Sequence, residues 1–242
     1  MKAIRSLLFS IGMLISIPIA ALVILLFVLG PPIYRFKVSS AWCWLVLSWL
    51  RITCNISFRI EGQEYLAQTP AVFLSKHQST WETLALQVVY QPLTWVAKRE
   101  LMRVPLFGWG LSLLKPIAID RAAGRKAMEQ IIEQGTDRLR SGISVVVFPE
   151  GTRTSPGTKR RYRLGGAVLA KESGFKVIPV AHNAGQFWGR RSFVKQPGEI
   201  VMRFGVPIDV ADKSPSQIIV EVEEWIEATV AEISGVTEVE LI

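Results

Sequence analysis

Two apolar stretches dominate the first fifty residues. Residues 7–29 carry no charged side chain and follow Lys2 and Arg5. As a helix, a run of that length extends about 35 Å, enough to cross a hydrocarbon core of about 30 Å. It is too long for the apolar core of a secretory signal, and no small-residue cleavage site precedes Pro31-Pro32, so a retained membrane segment is expected. Residues 38–50 form the second stretch, which as a helix spans only about 20 Å and cannot cross. Its Trp42, Trp44 and Trp49 suit the headgroup level, where an indole keeps one wet edge. Two arrangements fit this pattern: a helical hairpin that enters and leaves one leaflet, or one span followed by a core helix.

From about residue 53 the pattern changes to short apolar runs alternating with amphipathic ones. Strands are predicted at 55–60, 71–74, 94–97, 116–119, 143–148, 176–180 and 199–204. Helices are predicted at 124–141, at 164–173 closed by Gly174, and at 216–233. Near-continuous apolar strands separated by helices imply an α/β fold: one layered domain with a largely parallel central sheet flanked by helices. The chain therefore divides into an anchor of two apolar helices (1–52) and a globular α/β domain (53–242).

Composition sharpens this picture. Half of the 242 residues are hydrophobic, and the mean hydropathy of +0.31 is high for a soluble enzyme. Cys43 and Cys54 form neither a C-x-x-C zinc motif nor a disulfide framework, which points to a reducing compartment. The net charge of +8 conceals a strongly basic body and an acidic tail after residue 208. A basic body favours anionic partners such as lipid headgroups or phosphorylated metabolites. A nucleic-acid partner is not expected, because no stacking platform or groove-entering helix is legible.

Ligands of open α/β sheets sit beyond the carboxyl ends of the strands, and His77, Lys98, Asp120, Glu150 and Arg153 all follow predicted strands directly. His77 is one of two histidines; a neutral imidazole accepts protons near pH 7 when its other nitrogen is fixed by a partner. Glu82, five positions on, reaches back if a helix starts after His77. That is the logic of a Ser-His-Asp triad with the substrate hydroxyl in place of serine. The segment Phe148-Pro149-Glu150-Gly151-Thr152-Arg153 supplies a carboxylate, a tight turn, a hydroxyl and a forked guanidinium that matches phosphate. Lys98, Arg99 and Arg103 precede the aromatic loop 105–109, and Lys159-Arg160-Arg161-Tyr162-Arg163 forms a basic stretch suited to anionic headgroups or an acidic acyl carrier. His182 reads as structural.

These residues resemble the four motif blocks, in order, of the 1-acylglycerol-3-phosphate acyltransferase (lysophosphatidic acid acyltransferase) family of glycerolipid acyltransferases. The blocks are His77 to Glu82; residues 98–108 with Asp120-Arg121 after them; residues 148–153; and residues 177–180. Lys76 and Glu82 stand where the family commonly has Asn and Asp. The resemblance implies a glycerol-3-phosphate acyltransferase-like fold and acyl transfer from a thioester to the 2-hydroxyl of lysophosphatidic acid, giving phosphatidic acid. His77 would be the base and Glu82 its orienting partner. Glu150, Gly151, Thr152 and Arg153 would bind the acceptor's glycerol phosphate, with Lys98 and Arg121 assisting. Amides at the helix start after His77 would stabilise the oxyanion.

No metal or permanently bound cofactor is implied; coenzyme A or acyl carrier protein brings the acyl group as co-substrate. Partners are then lysophosphatidic acid, the thioester or its carrier protein, and the bilayer. The expected location is the inner, cytoplasmic membrane with the domain facing the cytoplasm, where thioesters arise; a single N-in span would misplace it, which favours the hairpin. Related enzymes acylate other lysophospholipids, ornithine lipids or lipid A precursors, and a non-enzymatic basic peripheral protein is the remaining alternative.

Overall fold

The computed structural model describes residues 1–120, 123–236 and 240–241. Helix α1 (Lys2–Leu26) is followed by a turn and α2 (Pro32–Cys54), which runs back alongside it. Three contacts fix the antiparallel register: the Trp49 indole donates to the Leu8 carbonyl, the Trp42 indole to Ser16, and Arg5 to the Thr53 carbonyl. At the tip, Arg35 donates to the carbonyls of Phe27, Val28 and Gly30 in the turn that follows α1.

The second helix is longer than the apolar run 38–50 predicts, with 23 residues against that shorter stretch. Pro32 starts it at the first helical position, where its missing N–H costs nothing. Asn55, left-handed at φ 53°, ends it. Polar residues are accommodated inside the helix: Ser39 and Ser40 within the apolar run and Thr53 beyond it are buried, and the Thr53 hydroxyl donates to the Trp49 carbonyl. Only α1 is both long and apolar enough to cross a membrane among the described residues.

Seven strands form the main sheet: β1 (Ile56–Glu61), β2 (Val72–Ser75), β3 (Leu93–Lys98), β4 (Ile117–Ile119), β5 (Ser144–Val147), β7 (Val177–His182) and β8 (Gly198–Phe204). Their order is β1-β8-β7-β2-β5-β3-β4, parallel throughout except between β7 and β8. A short pair, β6 (Thr158–Lys159) with β9 (Glu240–Leu241), lies apart. Helices α3 (Trp81–Val89), α4 (Phe107–Ser112), α5 (Arg125–Arg140), α6 (Gly165–Ser173) and α7 (Pro215–Ser234) complete the chain.

Every residue of β2 and β5 is buried, as expected for strands covered on both faces. Alternate side chains serve two cores. Phe73, Val146 and Ile178 join Trp81 and Leu84 of α3 and Val46, Leu47 and Leu50 of α2. Val72, Leu74 and Val145 face Ile131 of α5, Leu169 of α6 and Val222 of α7. The hairpin thus covers one face of the sheet together with α3. Gly166 permits α6 to approach, since a methyl there would come within 2.3 Å of the Leu74 side chain.

Helix α1 lies along the domain. Phe9 meets Trp188 edge-on at 5.1 Å between centroids, and Lys2 donates to Gln196. Further along, Gly110 of α4 sits so close that a methyl there would come within 3.1 Å of Ala21. Its outer face exposes Leu7, Leu14, Ile15, Ile19 and Leu26.

Candidate active site

Neighbouring strands β2 and β5 end side by side, with Leu74 in register with Val147. The loop after β2 carries His77 and the loop after β5 carries residues 148–154, so strand order alone brings two distant segments together. Two backbone-directed bonds clamp His77 between them: its amide donates to Glu150 Oε2 at 2.9 Å, and its carbonyl accepts from the Thr154 amide at 2.8 Å.

Helix α3 begins four residues after His77 and places Glu82 in its first turn, where a carboxylate complements the helix dipole. His77 Nδ1 lies 2.8 Å from Glu82 Oε1, and that oxygen also accepts the amides of Gln78 and Ser79 at 3.1 and 2.9 Å. Burial alone would raise the Glu82 carboxyl. His182 and His77 beside it, with the hydrogen bonds from His77 and Ser79, outweigh burial and hold it below the usual carboxylate range. An ionised Glu82 fixes the tautomer with the proton on Nδ1, leaving Nε2 as the free acceptor. The extra methylene of Glu relative to Asp therefore does not break the pairing. The imidazole is also stacked on Phe148, 3.9 Å between centroids and 17° from parallel. Its side chain retains 15% exposure, while Glu82 is fully buried.

This geometry removes three of the amides at the helix start from the expected oxyanion donors. The amides of Gln78 and Ser79 close on Glu82, and that of Trp81 on Ser79 Oγ, so these are committed to holding the acid.

Glu150 is also placed differently from the expectation that it contacts the acceptor. Its side chain is fully buried; Oε1 accepts from Lys76 and Thr154, and Oε2 from the His77 amide. It joins the two loops from inside. Burial pushes its carboxyl up, against the pull of Lys76, the His77 amide and Thr154.

Arg153 and Lys98 line one cavity with His77, of about 520 Å³, a size typical of ligand sites. Gly151, at φ 70°, makes the turn that a side chain would strain, and the Arg163 guanidinium packs over it. Thr152 is half-buried on that turn and does not line the cavity. Arg121 lies outside the described residues. The rest of the cavity wall is mostly apolar, with Ser39, Thr80 and Thr83 among it, and comes largely from the hairpin and α4, including Ile17, Ala21, Trp42 and Leu111.

The parts that Lys76, Phe148, Thr154 and the hairpin lining play escaped the sequence reading. Phe148 offered a signal, an aromatic at a strand end beside a candidate base. Lys76 offered none, since lysine is almost never fully buried unless paired. His182 is structural as expected: fully buried, with Nε2 2.9 Å from the Lys76 carbonyl and Nδ1 accepting from the Ala184 amide.

Comparison with known proteins bears on the same residues. The acyltransferase family model matches residues 57–183, from β1 through β7. A 1-acyl-sn-glycerol-3-phosphate acyltransferase of Pseudomonas aeruginosa is 42% identical over 206 residues, covering 84% of this chain and 80% of that protein. One from Saccharomyces cerevisiae is 26% identical, covering 70% and 57%. The crystal structure of the 1-acyl-sn-glycerophosphate (LPA) acyltransferase PlsC from Thermotoga maritima shares the fold, with a TM-score of 0.80 at 22% identity over 97% of this chain and 98% of that one. A family model that spans the whole His77–Arg153 constellation, and a relative so similar over four fifths of its length, place this chain in the acyltransferase family, among the 1-acylglycerol-3-phosphate acyltransferases.

Proposed function

We propose that this protein transfers a fatty acyl group from an acyl thioester, carried by coenzyme A or acyl carrier protein, to the 2-hydroxyl of lysophosphatidic acid, giving phosphatidic acid. The observation that carries this reading is the shared space: an oriented imidazole, a guanidinium and a mostly apolar wall line one cavity. The curated relatives named for this activity support the choice of acceptor.

In this scheme His77 Nε2 accepts the hydroxyl proton as the acceptor oxygen bonds to the thioester carbonyl carbon. The carbonyl pair moves onto its oxygen. On collapse the C–S bond breaks, and the departing sulfur takes the proton from Nε2, which restores the neutral ring. Glu82 stabilises the transient imidazolium without itself being protonated. Arg153 pairs with the phosphate in forked geometry and Lys98 adds a point charge, while Gly151 and Thr152 form the turn that presents Arg153. The thioester is the only other molecule the scheme requires.

The apolar lumen suits an acyl chain, and its hairpin walls connect it to the membrane. Contact of α1 with the domain at both Phe9 and Ala21 favours a hairpin lying against one leaflet. The outward apolar face of α1 would then enter the lipid, with the domain on the cytoplasmic side of the inner membrane, where thioesters arise. The test is transfer of labelled acyl from thioester by the purified full chain to a panel of lysolipids. Lysophosphatidic acid should be used best; equal turnover of a phosphate-free lysolipid would overturn the assignment.

A further inference from the structure

Behind His77, on the side away from the cavity, lies a buried ionic cluster that the reaction scheme does not use. Lys76 is 1% exposed, yet its ammonium meets two carboxylates: Glu150 Oε1 at 2.9 Å and Glu227 Oε1 at 2.7 Å. Glu227 belongs to α7, and the same oxygen accepts from the Tyr162 hydroxyl at 2.8 Å. Tyr162 is buried in the basic loop that packs Arg163 over Gly151. Lys159 of that loop also reaches Glu223 of α7, at 3.5 Å. The Lys76 carbonyl accepts from His182. The carbonyl and the amide of the Lys76–His77 peptide are therefore held by His182 and Glu150, and the chain of contacts runs from α7 to the reacting imidazole.

A buried ion pair is poor evidence of stability, because desolvation offsets most of the attraction. Its attested use is to fix one arrangement. Here the arrangement fixed is the His77 backbone: Glu150 uses one oxygen for Lys76 and the other for the His77 amide. We propose that Lys76, Glu227 and Tyr162 are positioning residues for His77, with Lys76 holding the Glu150 carboxylate on the His77 amide and α7 holding Lys76 in place. The proposal rests on the acyltransferase reading given above. It makes the acidic C-terminal helix part of the catalytic apparatus.

The test compares the full-length Lys76→Met, Lys76→Met/Glu150→Gln and Glu227→Gln proteins with wild type, in steady-state acyl transfer to lysophosphatidic acid. Lys76→Met should lower kcat by about 30-fold or more with the acceptor KM within about threefold, because no substrate contact is removed. Adding Glu150→Gln removes the uncompensated charge and should restore kcat by about tenfold over the single variant, a coupling that general loosening would not produce. Glu227→Gln, at the partly exposed end, should lower kcat by about three- to tenfold. If Lys76→Met does not fold, Glu227→Gln decides. Wild-type kcat in Lys76→Met or Glu227→Gln, or additive losses in the double variant, would overturn the proposal. An inactive wild type would instead overturn the reading beneath it.

Discussion

The two sides of His77 are built from opposite materials. In front is a cavity walled largely by aliphatic and aromatic side chains of the hairpin and α4, with Arg153 and Lys98 among its polar members. Behind, Glu82, Glu150, Lys76 and His182 are buried and joined by directional bonds. The difference follows from what each side must do. An acyl chain needs only non-directional burial, roughly proportional to area, so its walls tolerate variety. A general base needs a fixed tautomer and orientation, which only hydrogen bonds with set geometry provide.

Changes behind the ring should therefore lower turnover, and changes in front should alter selectivity. Behind the ring, the largest effect is expected from Glu82→Gln, which removes the charge that fixes the Nδ1 proton; kcat should fall by about 10²- to 10⁴-fold, read by steady-state transfer. Arg153→Ala should raise the acceptor KM by about 10- to 100-fold, the worth of a charge-assisted contact, with kcat nearly unchanged. If only the thioester KM moved, Arg153 would belong to the donor. Ala97→Leu places an isobutyl group in the cavity and should lower kcat/KM for long-chain donors by about tenfold while sparing short ones.

The smallest expected effect is on stability. Burial pushes His182 below its ordinary value near 6.5, against the pull of Glu82. The unfolded chain then takes up a proton as pH falls through that value while the folded chain does not. Stability should drop on acidification below about pH 6.5, by at most about 1.4 kcal/mol per pH unit from this group. Glu82, held low, adds its own loss only below about pH 4.5. Melting temperatures at pH 7.5, 6.0 and 5.0 would show a shallower slope for His182→Gln; an unchanged slope would assign the effect elsewhere.

Much of the fold was legible because local pattern and tertiary role agree. The run at 143–148 reads as a buried strand and is one, and Gly174 ends α6 in the left-handed conformation at φ 75°. Strand order was not legible: nothing local places β8 between β1 and β7, or makes it antiparallel to β7. The length of α2 was missed because the apolar run stops at charged residues, Lys37 on one side and Arg51 on the other, whereas the helix continues through both, from Pro32 to Cys54. Within the site, the His77–Glu82 pairing could be anticipated from spacing. The inward turn of Glu150 could not, since it depends on the lysine next to His77 being buried against two acids far along the chain.

The central claim is that the imidazole at position 77 performs the proton transfer within a cavity that also holds the acyl chain and the phosphate. Single-turnover transfer by His77→Ala, with binding of both substrates measured on the same preparation, tests it most directly. Transfer should slow by about 10³-fold or more while both substrates still bind. Transfer within about tenfold of wild type would assign the base to another group and contradict the account.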